Sequence, residues 1–232
     1  KAIELLHFLS ITDSKKLYLV GDIIDCWRLR KRWYWPQEHN DVMQKIMEKS
    51  RAGTEVIYIP GNHDDLIRQF VEHKFGEIKI VMDDIHITKN GKKIWVMHGD
   101  LFDSVIQHVR WLAFIGDGLY TILLGVNGVL NAIRRLFRLE YWSLSKFLKH
   151  KVKQAVSFLS AFETGLMNET RKRGCDGVVC GHIHKAEMKL IDGLIYANDG
   201  DWVESKTALT EGKDGSFLLI NYDELTREKN NL

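Results

Sequence analysis

The stretch Leu17-Tyr18-Leu19-Val20-Gly21-Asp22 joins a short apolar run to a glycine and an acidic side chain. The same arrangement, an apolar and largely β-branched run followed by polar residues, returns three more times along the chain. The later polar strings are Gly61-Asn62-His63-Asp64, His98-Gly99-Asp100 and Gly181-His182-Ile183-His184. Such runs predict buried strands, and α/β sheets usually carry their chemistry at strand ends. The ordered set therefore predicts an α/β protein with polar ligands gathered at the ends of its strands.

Length and composition favour one compact domain. The chain has 232 residues, of which 45% are hydrophobic, and it contains only two prolines. Because no Ser/Gly-rich linker interrupts it, we expect a single domain over residues 1–232 with a helical insert or cap at about 104–172. Three cysteines without a CxxC pair are typical of a reducing compartment, which favours a cytoplasmic location.

Charge is informative locally and not in bulk. The formal net charge of +2 argues neither for nor against nucleic acid as a partner. Basic residues nevertheless gather in three clusters beside apolar or aromatic stretches, which favours an anionic partner such as a phosphorylated molecule or an acidic membrane surface. The clusters are Arg28, Arg30, Lys31 and Arg32; Arg134, Arg135 and Arg138; and Lys146, Lys149, Lys151 and Lys153. A solvated helix face is the plain alternative for each.

The insert contains a stretch, residues 111–130, that is almost long enough to cross a membrane. Asp117, Asn127 and several glycines interrupt it, and they disfavour a spanning helix. We expect instead a helical cap over the motif loops, with an apolar face available to a lipid or a bilayer surface. An ordinary helical hairpin packed on the core is the alternative.

The residue types at the strand ends suit a pair of divalent cations that promote phosphoryl transfer. Asp22 is placed to bridge two ions, Asn62 offers a neutral carbonyl oxygen, and three histidines offer imidazole nitrogens: His98, His182 and His184. On a regular strand, residues two apart share one face, so His182 and His184 would converge on a cation. This mixed nitrogen and oxygen set favours Mn, with Fe, Zn or Co as alternatives.

His63 and Asp64 are the candidate catalytic residues beside this metal centre. His63 follows the candidate ligand Asn62, so its ring is expected near the leaving oxygen, where it can donate a proton or stabilise charge. Asp64 is expected to orient His63, and Asp25 and Asp100 are candidate hydrogen-bond acceptors around the centre. Turn or helix-cap roles are the alternative for all three aspartates.

These motifs resemble those of the calcineurin-like metallophosphoesterases, whose blocks include G-D, G-N-H-D/E, a strand-terminal His and G-H-x-H. Two further stretches are similar to the bacterial UDP-2,3-diacylglucosamine pyrophosphatase branch: Gly21 to Trp27, and Asn198 to Ser205. The resemblance implies two mixed β-sheets packed face to face and flanked by helices. It also implies hydrolysis by a metal-bridging hydroxide of a nucleotide-sugar lipid to UMP and an acylated sugar 1-phosphate, a step of lipid A biosynthesis. Members of the branch act at the cytoplasmic face of the inner membrane as peripheral enzymes, and no nucleic-acid partner is expected.

Two departures from the family pattern keep other functions open. Branch members commonly carry Arg where this chain has His63, which leaves a broader phosphodiesterase or phosphatase on nucleotides, phospholipids or phosphoproteins as the alternative. The family's first block, D-x-H, has only one match, Asp84-Ile85-His86, which lies too late in the order and inside an expected hairpin. We expect the true block to precede Lys1, so these residues supply one full metal shell at best. A non-catalytic scaffold of the same fold is the third alternative.

Overall fold

A computed structural model of the chain describes residues 1–105, 136–137 and 144–230. The apolar stretch 111–130 and much of the expected cap lie outside these described residues. No helix in the described part is both long enough and apolar enough to span a membrane. The chain divides into two compact units, Lys1–Leu101 with Met167–Leu232, and Phe102–Leu166.

Helices and strands alternate through the first half of the chain and cluster again near its end. The α-helices are α1 (Ala2–Ile11), α2 (Cys26–Lys31), α3 (Gln37–Arg51), α4 (Leu144–Lys172) and α5 (Tyr222–Asn230). The strands are β1 (Lys16–Val20), β2 (Glu55–Ile59), β3 (Lys74–Phe75), β4 (Ile78–Ile80), β5 (Asp83–Ile87), β6 (Lys93–Met97), β7 (Gly177–Cys180), β8 (Glu187–Ile191), β9 (Leu194–Asn198), β10 (Thr207–Glu211) and β11 (Phe217–Asn221). Two 3-10 helices cover Asp65–Phe70 and Asp100–Val105.

The strands form two mixed sheets and a separate hairpin. The first sheet has the order β1-β2-β4-β3, with β2 parallel to both β1 and β4. The second has the order β5-β6-β7-β9-β8, with β7 parallel to both β6 and β9. The parallel strands of each sheet end beside the polar strings, so β1 and β2 deliver two of them from the first sheet and β6 and β7 deliver two from the second.

Strand β2 shows how the layers pack, because its alternate side chains enter two different cores. Val56 and Tyr58 pack with residues of α1 and α3, which cover one face of the first sheet. Ile57 and Ile59 point the other way and share a core with four residues of the second sheet: Ile94, Val96, Val179 and Ala197. The expected fold, two mixed sheets packed face to face and flanked by helices, is therefore confirmed.

The hairpin expected over residues 78–98 is confirmed only in part. Strands β5 and β6 pair antiparallel on either side of the turn that contains Asn90-Gly91, and Gly91 has a φ of +84°. Strand β4 instead joins the first sheet beside β2, because Ile78 and Ile80 are both buried in the core under that sheet. The sequence gives no comparable signal for the short helix α2 or for the hairpin β10–β11.

Candidate metal centre and its neighbouring histidine

The turn after β1 brings the first acidic side chain to the sheet end in a strained conformation. Gly21 has a φ of +73° and Asp22 a φ of +55°, a region that L-residues rarely occupy. A Cβ atom on Gly21 would lie only 2.0 Å from Nδ1 of His98. Glycine is thus required at position 21, because the backbone and the imidazole ring must approach each other closely.

His98 follows β6 and presents one ring nitrogen to a cluster of acceptors. Its Nδ1 lies 3.0 Å from the carbonyl oxygen of Val20, which can only accept a hydrogen bond, so Nδ1 carries the proton. The Nε2 lone pair of the neutral ring then faces Oδ1 of Asn62 at 3.3 Å and Oδ1 of Asp22 at 3.5 Å. Three acceptors that face one another repel unless a cation lies among them.

The Asp22 carboxylate has one satisfied and one unsatisfied oxygen. Oδ1 accepts a hydrogen bond from the backbone N–H of His63 at 2.8 Å. Oδ2 is buried and has no hydrogen-bond partner among the described residues. A buried carboxylate oxygen without a partner is costly, and a bound cation removes that cost. Ligand atoms of Asp22, His98 and His182 all lie within 4.8 Å of one another, so this donor set fits a divalent ion.

The two histidines of the last string lie in a turn and not on a strand. Strand β7 ends at Cys180, and both His182 and His184 have left-handed backbones, with φ of +66° and +55°. The expectation that strand periodicity brings both rings to one face is therefore wrong. His182 is buried with its ring centroid 5.0 Å from that of His98, whereas His184 is exposed and lies outside the three-residue cluster.

Asn198 supports this turn from the end of β9. Its Nδ2 donates to the carbonyl oxygen of Gly181 at 2.6 Å, directly before His182. Asn198 is fully buried, and its Oδ1 accepts from the N–H of Gly200. The second stretch that resembles the pyrophosphatase branch thus begins with a residue that holds the turn carrying His182.

Asp64 connects two of the ligand-bearing turns instead of orienting His63. Its Oδ1 accepts hydrogen bonds from the backbone N–H groups of Asp22, at 3.2 Å, and Gly61. Its Oδ2 accepts from the N–H of Ile23 at 3.0 Å and from the hydroxyl of Tyr58. Burial and the nearby Asp64 carboxylate raise the pKa of Tyr58, so this hydroxyl remains a donor. Four donors occupy the Asp64 carboxylate, which differs from the expected contact with the His63 ring.

The His63 ring is held by α2. Nδ1 of His63 lies 3.2 Å from Oδ1 of Asp25, the residue that also caps α2 by accepting from the N–H of Arg28. The indole of Trp27 stacks on the imidazole with a centroid distance of 4.4 Å and an interplanar angle of 28°. The N–H of Cys26 donates to the backbone carbonyl of His63 at 2.9 Å. Asp25 was a candidate acceptor from its motif, but the stack on Trp27 depends on tertiary contact and was missed.

The chain belongs to the calcineurin-like phosphoesterase family, whose profile matches residues 1–186. A UDP-2,3-diacylglucosamine hydrolase of Porphyromonas gingivalis is 28% identical over 88 residues, which are 38% of this chain and 33% of that protein. The match thus spans about a third of the relative's length. One similar solved structure is described as a novel archaeal phosphodiesterase, with 10% identity, a TM-score of 0.43, and coverage of 95% of this chain and 90% of that one. Another is a Vps29 single mutant from Entamoeba histolytica, with 12% identity, a TM-score of 0.39, and coverage of 93% and 87%.

Proposed function

We propose that this protein is a metal-dependent phosphohydrolase whose centre is built on Asp22, Asn62, His98 and His182. The observation that carries this proposal is the buried, unpartnered Oδ2 of Asp22 beside the Nε2 lone pair of His98. The donor set suits Mn, Fe, Zn or Co, and Mn is the ion that we expect. His184 stands two residues beyond His182, and we assign it to a second divalent ion that shares Asp22.

A divalent cation bound at these residues acidifies a water molecule and neutralises charge on the phosphoryl oxygens. His63 supplies the proton for the leaving oxygen. Asp25 accepts the hydrogen bond from Nδ1, which leaves Nε2 to exchange a proton with the substrate. The stack on Trp27 fixes the plane of the ring, and the bond from the His63 N–H to Asp22 keeps the ring close to the centre.

The proposed substrate is a nucleotide-sugar lipid of the UDP-2,3-diacylglucosamine type, cleaved to UMP and an acylated sugar 1-phosphate. The Porphyromonas relative supports this class of substrate. The basic side chains of α2 support it further, since Arg28 and Arg30 stand on the helix that holds His63 and suit an anionic ligand. A lipid substrate would require work at the cytoplasmic face of a membrane. The second candidate, a broader phosphodiesterase, is favoured by the presence of a histidine at position 63.

The decisive assay measures release of UMP from UDP-2,3-diacylglucosamine by the Mn-loaded protein. The same preparation is tested on a generic aryl phosphodiester, with the His63→Ala variant as the control for contaminating hydrolases. UMP release that depends on His63 supports the proposed substrate. Cleavage of the generic diester alone moves the assignment to the broader phosphodiesterase. Bound metal without turnover of either substrate favours the scaffold alternative.

A further inference from the structure

One arginine contacts both segments that carry candidate ligands. Arg68 lies in the 3-10 helix Asp65–Phe70, and its Nη2 donates to Oδ2 of Asp100 at 2.6 Å and to the carbonyl oxygen of Pro60 at 3.3 Å. The two charged side chains are largely withdrawn from solvent, with 26% of Arg68 and 10% of Asp100 exposed. Pro60 directly precedes Gly61-Asn62, and Asp100 follows His98 by two residues.

The two segments come from different sheets. The segment of Pro60 continues β2 of the first sheet, and the segment of Asp100 continues β6 of the second. Strands in separate sheets share no backbone ladder, so the separation of their ends depends on side-chain contacts. At this point Oδ1 of Asn62 and Nε2 of His98 are only 3.3 Å apart, the separation on which a shared cation depends.

Arginine suits this connection better than another basic residue. The two N–H bonds of Nη2 lie in the rigid guanidinium plane, so its two acceptors are held at a fixed angle. A lysine ammonium keeps the charge, but its four-carbon stem allows it to follow either acceptor separately. Asp100 also depends on the pair, because a carboxylate that is only 10% exposed has lost most of its hydration.

We propose that Arg68 is a positioning residue that, through Asp100 and the Pro60 carbonyl, holds Asn62 and His98 at the separation the metal requires. The inference rests on the proposed metal centre and adds a determinant of its affinity. Residues that orient metal ligands from outside the coordination shell typically change metal affinity by about 10–100-fold when they are replaced. Arg68 is expected to act in this range.

A nearby exposed ion pair provides the matched control. Arg30 contacts Asp65, the first residue of the same 3-10 helix, at 3.1 Å, with 49% and 39% of the two side chains exposed. Replacing Arg30 removes a cation and an ion pair from the same helix without changing any contact to Pro60 or Asp100. If Arg68 only stabilised this helix, the Arg30 and Arg68 variants would affect metal binding alike.

The experiment titrates Co²⁺ into the metal-free protein, with visible absorption to report the coordination geometry and calorimetry to report affinity. The variants are Arg68→Met, Arg68→Lys, Asp100→Asn, the double variant Arg68→Met/Asp100→Asn, and Arg30→Met. Arg68→Met should bind Co²⁺ about 10–100-fold more weakly with an altered absorption band, and Arg68→Lys should recover part of the loss. The double variant should bind no more weakly than Arg68→Met, since both changes remove one contact. Arg30→Met should match the wild type.

Two results would overturn the inference alone: wild-type affinity and absorption in Arg68→Met, or losses in the two single variants that simply multiply in the double variant. Arg68→Lys, compared with the wild type in the same way, decides the question if circular dichroism shows that Arg68→Met does not fold. A wild-type protein that binds no Co²⁺ would overturn the metal centre itself and this inference with it. The readouts need no substrate, so a wrong substrate assignment leaves them unaffected.

Discussion

Two places in the molecule pair an aspartate with a histidine, and they differ in what their lone pairs contact. In the candidate centre, Oδ2 of Asp22 is buried without a partner, and Nε2 of His98 faces other acceptors. On β5, Asp84 accepts the Tyr18 hydroxyl at 2.5 Å, and Nε2 of His86 lies 2.7 Å from a carboxylate oxygen of Glu211. We call the second place the β5 pair.

The comparison teaches that residue type does not define a metal site; unused ligand atoms do. The pKa of Tyr18 is raised by burial and by Asp84, so the phenol keeps its proton and occupies the carboxylate. Glu211 engages His86 with one oxygen and the N–H of Lys89 with the other. The β5 pair therefore joins strands to one another, whereas Asp22 and His98 hold atoms that only a cation satisfies.

Asp22→Asn should have the largest effect of any substitution. The amide removes the charge and one oxygen ligand, so metal affinity should fall by more than about 100-fold and turnover should fall to background. Asp84→Asn is the matched control and should retain both properties, at a cost of about 1 kcal/mol in unfolding free energy for the weakened bond to Tyr18. Calorimetric Mn²⁺ titration and urea unfolding measure the two effects. Equal metal affinity in the two variants would contradict the comparison.

His63→Ala should lower turnover with little change in metal content. The loss of a positioned proton donor typically costs about 10²–10⁴-fold in rate, while the atoms facing the cation stay in place. His86→Ala on the β5 pair should leave turnover intact. Activity assays paired with metal analysis by mass spectrometry separate these outcomes. If His63→Ala loses its metal, His63 is a ligand or a structural residue and its assigned role is wrong.

Gly61→Ala should weaken metal binding through a steric conflict. The added Cβ would lie 2.3 Å from Oδ1 of Asp22 and 2.6 Å from Nε2 of His98, so the ligand atoms must separate. We expect about a tenfold loss of Mn²⁺ affinity, comparable with the loss of an orienting contact. Gly91→Ala, in the turn after β5, meets nothing within 4 Å and should cost only about 1 kcal/mol of stability through its φ of +84°. Tight Mn²⁺ binding by Gly61→Ala would show that this approach is not needed.

The smallest predicted effect concerns Asp199, beside the turn that carries His182. Burial raises the pKa of Asp199 from 3.8 to about 8. The folded carboxyl then retains a proton that the unfolded chain releases, so its contribution to unfolding free energy decreases as the pH rises from about 4 to about 8. Asp199→Asn should abolish that decrease.

Urea unfolding in the presence of a chelator, at several pH values in that interval, measures the Asp199 effect as a difference from wild type. Asp214→Asn in the β10–β11 turn is the control of opposite sign, because hydrogen bonds from Ser216 lower the pKa of Asp214. Its small contribution is present above the unfolded pKa and is lost as the pH falls through the folded one. A difference curve for Asp199→Asn that is flat with pH would contradict the expected burial effect.

Local patterns in the sequence predict the strands, the paired sheets and most residues of the centre. Each ligand-bearing turn follows a run of buried residues, and Gly21 and Gly61 mark the places where backbone and ligand approach closely. The order of the motifs also separates Asp22 from the β5 pair, because Asp84 follows the second motif and lies inside a hairpin signal.

Contacts between distant segments could not be predicted in this way. Trp27 and His63 are 36 residues apart, and Arg68 and Asp100 are 32 apart, so their pairing depends on how the sheet ends align. Asp64 looked like a partner of His63 by adjacency, yet its carboxylate turns toward backbone N–H groups of the neighbouring loop. Strand periodicity failed at His184 because the backbone leaves the strand at Cys180.

The most direct test of the central claim is an anomalous difference map from crystals of the protein grown with Mn²⁺. The account predicts a peak within about 2–2.5 Å of ligand atoms of Asp22, His98 and His182. It predicts no peak at Asp84 and His86, where the ligand atoms already have protein partners. A map with Mn²⁺ at the β5 pair, or with nothing at Asp22 in crystals that contain the bound ion elsewhere, would contradict it.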